Sequence, residues 1–162
     1  MKHSAGILPY KYVDNELYVY LEHPGGPFWK DKDKWSIVKG EYINERAEEA
    51  ARREFEEESS FKVKGNLEYM GSFKLKHKLL VMFMVEEDFD VTKMKSNTFK
   101  RIFNNTLCEF PEMDEAKWFK IDEAYNYIFD RQRKVLLNGG SLICFPEKEV
   151  NGILGNSELN SL

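Results

Sequence analysis

Apolar positions along this chain fall first into two short runs. Ser4 to Tyr10 (SAGILPY) and Leu17 to Glu22 (LYVYLE) are rich in β-branched and aromatic residues, and Val13-Asp14-Asn15 between them reads as a turn. An antiparallel hairpin is expected. The stretch His23-Pro-Gly-Gly-Pro-Phe-Trp29 is a loop by its Pro and Gly content, Lys30 to Lys34 a solvated charge run, and Trp35 to Val38 a short strand ending at Lys39-Gly40. From Arg46 to Glu58 the pattern changes to Ala, Arg and Glu, uninterrupted by Gly or Pro, which predicts a helix with Asn44 as its N-cap. Leu67–Lys76 and Lys78–Glu86 form a second expected hairpin. Asp88 to Pro111 is polar, interspersed with Phe99 and Phe103, and reads as irregular. Glu115–Ile121 is a further strand. Asp122 to Leu137 is predicted helical, capped by Asp122 and stopped by Gly139-Gly140. This order does not alternate as a wound parallel sheet would. It predicts an α/β (α+β mixed) fold, a mixed β-sheet between helices.

The helix holds the first chemistry. At roughly 100° per residue, Ala47, Ala50, Ala51 and Phe55 share one face. Glu54 and Glu58 fall within that stripe and Glu57 at its edge, whereas Glu48, Glu49 and Glu56 project away. Like charges one turn apart repel by roughly 0.2–0.5 kcal/mol in water, and more against an apolar wall. Two readings stand from the wheel alone: a solvated acidic face, or oxygen ligands for a hard divalent cation. Arg53 lies one turn from both Glu49 and Glu57, and Glu45 precedes Glu49 by another turn. That ladder is either a surface ion-pair array or an orienting device.

Composition narrows the function classes. The 162 residues fit one domain, expected over 1–146, with a polar C-terminal tail from 147 to 162. With 24 basic and 28 acidic side chains the net charge is −4, which argues against a grip on long nucleic acid but leaves room for a small, metal-screened polyanion. Cys108 and Cys144 show no CxxC and no Cys/His cluster, and read as unpaired thiols suited to a reducing compartment. The longest apolar run, Leu79 to Val85, is too short for a bilayer span, and the first residues run directly into a strand pattern. A cytoplasmic protein that binds no membrane is expected. Ser141–Phe145 (SLICF) is either an added strand or a contact in a possible homodimer.

Glu45, seven intervening residues, and then Arg53-Glu54-Phe55-Glu56-Glu57-Glu58 resemble the Nudix box, with Phe61 at its closing apolar position. Trp35 to Glu41 (WSIVKGE) and Asp114 to Phe119 (DEAKWF) are also similar to the family, and the 23–29 loop resembles a bacterial subgroup of nucleotide pyrophosphohydrolases. The resemblance covers roughly residues 3 to 138. It implies a Nudix-like α/β/α sandwich and a hydrolase that cleaves a phosphoanhydride bond in a small nucleoside-diphosphate-linked substrate. By the same resemblance, Glu54, Glu57 and Glu58 would hold Mg²⁺ or Mn²⁺, with the Gly40 carbonyl as a further ligand. Arg53 and Glu45 would orient them, and the general base would be a box glutamate or a loop residue, Glu109 or Glu112. His23, Phe28 and Trp29 are the substrate-contact candidates, Phe28 and Trp29 being equally readable as core. Two departures stand out: four residues rather than five separate Gly40 from Glu45, and Ser60 replaces the closing Gly. They leave a catalytically impaired nucleotide-binding or regulatory module of the same fold as the alternative.

Overall fold

In the computed structural model, residues 1–137 are described. The predicted stop at Gly139-Gly140, Cys144, the Ser141–Phe145 segment and the 147–162 tail lie outside the described residues. Strands β1 (Lys2–Val13) and β2 (Glu16–Pro24) pair antiparallel through a turn in which Asp14 and Asn15 both take positive φ, the conformation a two-residue hairpin demands. β3 (Val38–Glu41) leads to α1 (Ala47–Ser59), then come β4 (Glu68–Leu75) and β5 (Lys78–Glu86). The order across the main sheet is β4-β5-β1-β2-β8, with β8 (Met113–Lys120) on one edge and β3 also paired to β1. Only the β1–β5 pairing is parallel among these, so the sheet is mixed.

β1 is central and buried from Ser4 to Tyr10, which explains its near-continuous apolar run. Its alternate residues serve two cores. Ala5 and Ile7 join Tyr20, Ala50, Ala51 and Phe55 under α1, whereas Leu8 and Tyr10 join Val19, Leu21, Phe119 and the 121–136 segment on the opposite face. The α/β/α sandwich follows from those two burials.

Three expectations are corrected. Residues 88–111 are not irregular throughout: β6 (Thr98–Phe103) and β7 (Thr106–Pro111) form a separate two-stranded hairpin. Its turn, Asn104-Asn105, has positive φ at both residues, a legible signal. Its strands lie mostly exposed, so burial imposed little apolar alternation on them. The last helix is broken into α2 (Ile121–Tyr127), a 3₁₀ turn at Asp130–Gln132, and α3 (Arg133–Leu136). Ile128 is extended because its neighbours bond to Trp35: the Trp35 amide donates to Tyr127 and the Phe129 amide to Trp35. The N-caps also differ. α1 is preceded by Arg46 without a side-chain cap, and Asn44 stands outside at φ 58°, turning the short loop back toward the helix. α2 is preceded by Lys120, and Asp122 lies within its first turn. Among the described residues, no helix is long and apolar enough to cross a membrane.

Candidate active site

β1 and β2 stay paired only as far as Tyr10 and Val19. Beyond that point β3 takes the place of β2 beside β1, with Gly40 opposite Ala5, while Glu22 exchanges both backbone bonds with Ser36. The split opens the sheet beneath α1. Phe55, Ala50 and Ala51 anchor the helix there, which brings its carboxylate stripe over β3.

Glu54 lies against Gly40 itself. A Cβ added to Gly40 would stand 2.0 Å from the Glu54 carboxyl carbon, so no larger residue fits without moving that side chain. Arg53 donates to Glu45 (2.5 Å from Nη2 and 3.1 Å from Nε), to Glu54 (2.8 Å) and more distantly to Glu57 (3.4 Å). It does not bridge Glu49, which faces Arg46 instead. The bond to Glu45 is the main reason the guanidinium is held firmly protonated. Glu57 is exposed and Glu58 half-buried, with one Glu58 oxygen, Oε2, fully enclosed and unpartnered. Burial first, then the charges of Glu54 and Glu112, push Glu58 up to about 8. Glu54 is raised by burial too, with Arg53 opposing.

Two further acids join the group. Glu22, read at first only as the end of a strand, is 0% exposed, accepts from the Tyr20 hydroxyl at 2.5 Å, and is pushed by burial up to about 9. Its parity with Tyr20 puts the two on one face of β2, but only the packing shows that α1 covers that face. Glu112 is held by backbone bonds from Gly25 and to Asn97, and its charge acts on Glu58. Gly25 permits this, since a Cβ there would lie 2.0 Å from the Pro111 carbonyl. Glu109 is not brought to the cluster. It is exposed on the β6–β7 hairpin, where it accepts from Thr98.

Beside the acids lies a cleft of about 640 Å³. Lys39, Lys76, Lys78, Arg101 and Arg131 line it, together with Phe28, Trp29, Phe99, Phe129 and Glu112. Phe28 is exposed there, and Trp29 packs edge-on against Phe129 at 5.0 Å. Burial, then Lys78, lowers the pKa of Lys39, which also faces Glu58. His23 is not in this cleft. It sits behind the loop, with Nδ1 2.7 Å from Asp114 and Nε2 2.6 Å from the Lys32 carbonyl. Burial alone would lower its pKa, but those two acceptors outweigh it and raise it. His23 therefore ties the 24–34 loop to β8. The cations were missed because they come from elements far apart in the chain.

Among the described residues, no three His, Cys, Asp or Glu side chains stand grouped so that they could hold a metal ion as they are placed. Bare carboxylates repel, and Arg53 draws on Glu54 and Glu57. The donors nevertheless fit a hard cation: all are oxygens, and Glu22 Oε1 and Glu58 Oε2 are enclosed without a partner.

Fold and site together define a class: an α/β/α sandwich whose acid-bearing helix lies over a split in its sheet, beside a basic cleft. Solved structures share the fold. A C. elegans Ap4A hydrolase binary complex is 16% identical, with a TM-score of 0.58 over 83% of this chain and 92% of that one. The NUDIX domain of Shewanella oneidensis NrtR complexed with ADP ribose is 14% identical, with a TM-score of 0.57 over 82% of each chain. A NUDIX hydrolase from Nitrosomonas europaea is 21% identical, with a TM-score of 0.56 over 85% of this chain and 71% of that one. No curated protein matches by sequence. A family model of the NUDIX domain matches residues 12–138, and the chain belongs to the Nudix family, a family of pyrophosphohydrolases.

Proposed function

We propose that this chain is a divalent-metal-dependent hydrolase that cleaves a phosphoanhydride bond in a nucleoside-diphosphate-linked compound. One observation carries the reading: α1 presents Glu54, Glu57 and Glu58 on one side, Glu54 lies against Gly40, and Lys39 and Glu112, which act on Glu58, also line a cleft walled by cations and aromatic rings. Glu54, Glu57 and Glu58, with the Gly40 carbonyl, would hold Mg²⁺ or Mn²⁺. When bound, the metal supplies charge neutralisation of the diphosphate and a more acidic water.

The chain's own residues do the rest. Glu45 holds Arg53, and Arg53 orients Glu54 and Glu57, which keeps two mutually repelling acids aimed the same way. Lys39, Lys78 and Arg131 bind phosphate oxygens on the far wall. Phe28, Trp29 and Phe99 offer ring faces for a base. Glu112, at the cleft edge and coupled to Glu58, takes the proton of the attacking water at its carboxylate; Glu109, exposed and bonded to Thr98, neither lines the cleft nor acts on Glu58. Two structures with this fold, an Ap4A hydrolase and a domain carrying ADP ribose, concern compounds of the proposed chemical type.

The test is Mg²⁺- and Mn²⁺-dependent turnover across nucleoside triphosphates, dinucleoside polyphosphates and nucleotide sugars. Glu57→Gln should abolish turnover of the preferred compound. Glu112→Gln should lower kcat by about 10²–10⁴-fold, the usual worth of a general base, while Glu109→Gln leaves it unchanged. Absence of turnover with either metal would sink the reading in favour of a nucleotide-binding module.

A further inference from the structure

Glu22 stands on β2, outside the helix that bears the proposed ligands, yet its side chain enters the same space. Tyr20, two residues earlier, donates its hydroxyl to Glu22 Oε2 at 2.5 Å and fixes the carboxylate's direction. The other oxygen, Oε1, is enclosed and has no hydrogen-bond partner, in a residue with no exposed surface at all. Leaving such an oxygen dry and bare is unfavourable unless something positive or protic meets it. The charge that acts on Glu22 is the carboxylate of Glu58. Glu58 also has one enclosed oxygen, Oε2, without a partner. Lys39 acts on Glu58 as a charge at a distance, holding its pKa down against burial. The buried Glu22 and the half-buried Glu58 therefore each keep one enclosed oxygen without a hydrogen-bond partner among the described residues, Lys39 being the cation that acts on Glu58 from a distance.

We propose that Glu22 is a further cation ligand, its Oε1 joining Glu58 Oε2 to hold a second hard divalent ion on the β2 side of α1, with Tyr20 as its positioning residue. This rests on the metal-dependent reading above. A hard ion suits the pair because both donors are carboxylate oxygens and no sulfur or imidazole stands between them. It also explains why β2 carries an acid next to the fully buried Val19, Tyr20 and Leu21. The competing occupant of the same gap is a proton shared between the two carboxyl groups.

Mn²⁺ titration of the purified full chain, read by electron paramagnetic resonance and calorimetry, distinguishes them without using activity. Wild type is expected to bind more than one Mn²⁺ per chain. Glu22→Gln should remove one equivalent or weaken it at least roughly 10-fold, leaving the site that depends on Glu57 intact. Tyr20→Phe keeps the charge but loosens its aim, and should weaken the same equivalent more mildly. Unfolding in chelator controls for folding: Glu22→Gln, close in shape to the protonated carboxyl that burial favours, should be about as stable as wild type. A Glu22→Gln isotherm identical to wild type, while Glu57→Gln loses Mn²⁺, would overturn this inference alone and leave the shared proton. If wild type binds no Mn²⁺, or Glu57→Gln changes nothing, the metal-dependent reading itself falls. Should Glu22→Gln fail to fold, an unaltered isotherm in Tyr20→Phe would overturn the proposal.

Discussion

A carboxyl group taken out of water holds its proton, and a second acid facing it strengthens the hold. Glu22 is pushed up to about 9 and Glu58 to about 8, both from an ordinary value of 4.5. Between those limits the folded chain keeps protons that the unfolded chain has released. The stability these protons represent is therefore full below pH 4.5 and is lost as pH rises through 8 to 9. His23, raised by its two acceptors, adds a loss of the same sign above its ordinary value of 6.5. In chelator, the urea midpoint should fall from pH 5 to pH 9, and fall less steeply in Glu22→Gln. A midpoint that climbs with pH would show that these acids are not buried as described. The three helix acids were legible at this scale because the wheel places them on or beside the apolar face. Glu22 and His23 were not, since one strand residue gives no sign of which neighbours will close over it.

α1 ends in a way that bears on its departure from the family pattern. Ser60 takes the left-handed conformation, φ 68° and ψ 8°, with its amide bonded to the Glu56 carbonyl. A residue with a Cβ is strained there by about 1–2 kcal/mol. Its hydroxyl recovers part of this by donating to the Lys95 carbonyl, and the Lys95 and Asn97 amides satisfy the Ser59 and Glu57 carbonyls. The 95–97 segment thus closes the helix end just beneath the acids. Ser60→Ala keeps the strain and loses the bond, so it should cost about 1 kcal/mol in urea unfolding. Ser60→Gly should cost less, because strain relief offsets the lost bond. Equal losses would mean that the hydroxyl contributes nothing. Strong periodic elements, α1 and the first two hairpins, were legible because burial repeats along them. The β6–β7 hairpin was overlooked because exposure erased its alternation, leaving only Asn104-Asn105 as a cue. The break at Ile128 belongs to Trp35, a partner 93 positions earlier.

The molecule as a whole is acidic, yet its cleft is basic. The β4–β5 turn brings Lys76 and Lys78, β6 brings Arg101, the 3₁₀ turn after α2 brings Arg131, and β3 brings Lys39. Lys39 couples this wall to Glu58, so on the proposed reading a phosphate chain spanning cleft and helix would meet metal on one side and side-chain cations on the other. Arg131→Ala should raise KM for the preferred phosphate compound roughly 10-fold, as expected for one charge-assisted bond worth about 1.5 kcal/mol, with kcat little changed. The salt dependence of KM should flatten in parallel. A kcat loss at unchanged KM would place Arg131 in the chemistry rather than in binding.

Local periodicity and spacing were enough to determine the mixed sheet between helices, the helix that bears Glu54, Glu57 and Glu58, and the family box around them. Those features repeat within one or two turns of chain, where side-chain direction follows from backbone geometry. Tertiary structure decided that Glu112 rather than Glu109 acts on Glu58, that His23 ties down a loop, that Glu22 lies buried beside Glu58, and that five cations from four elements share one cleft. Each depends on which distant strands meet where β1 and β2 part, and that meeting is set by the packing of two cores against one sheet.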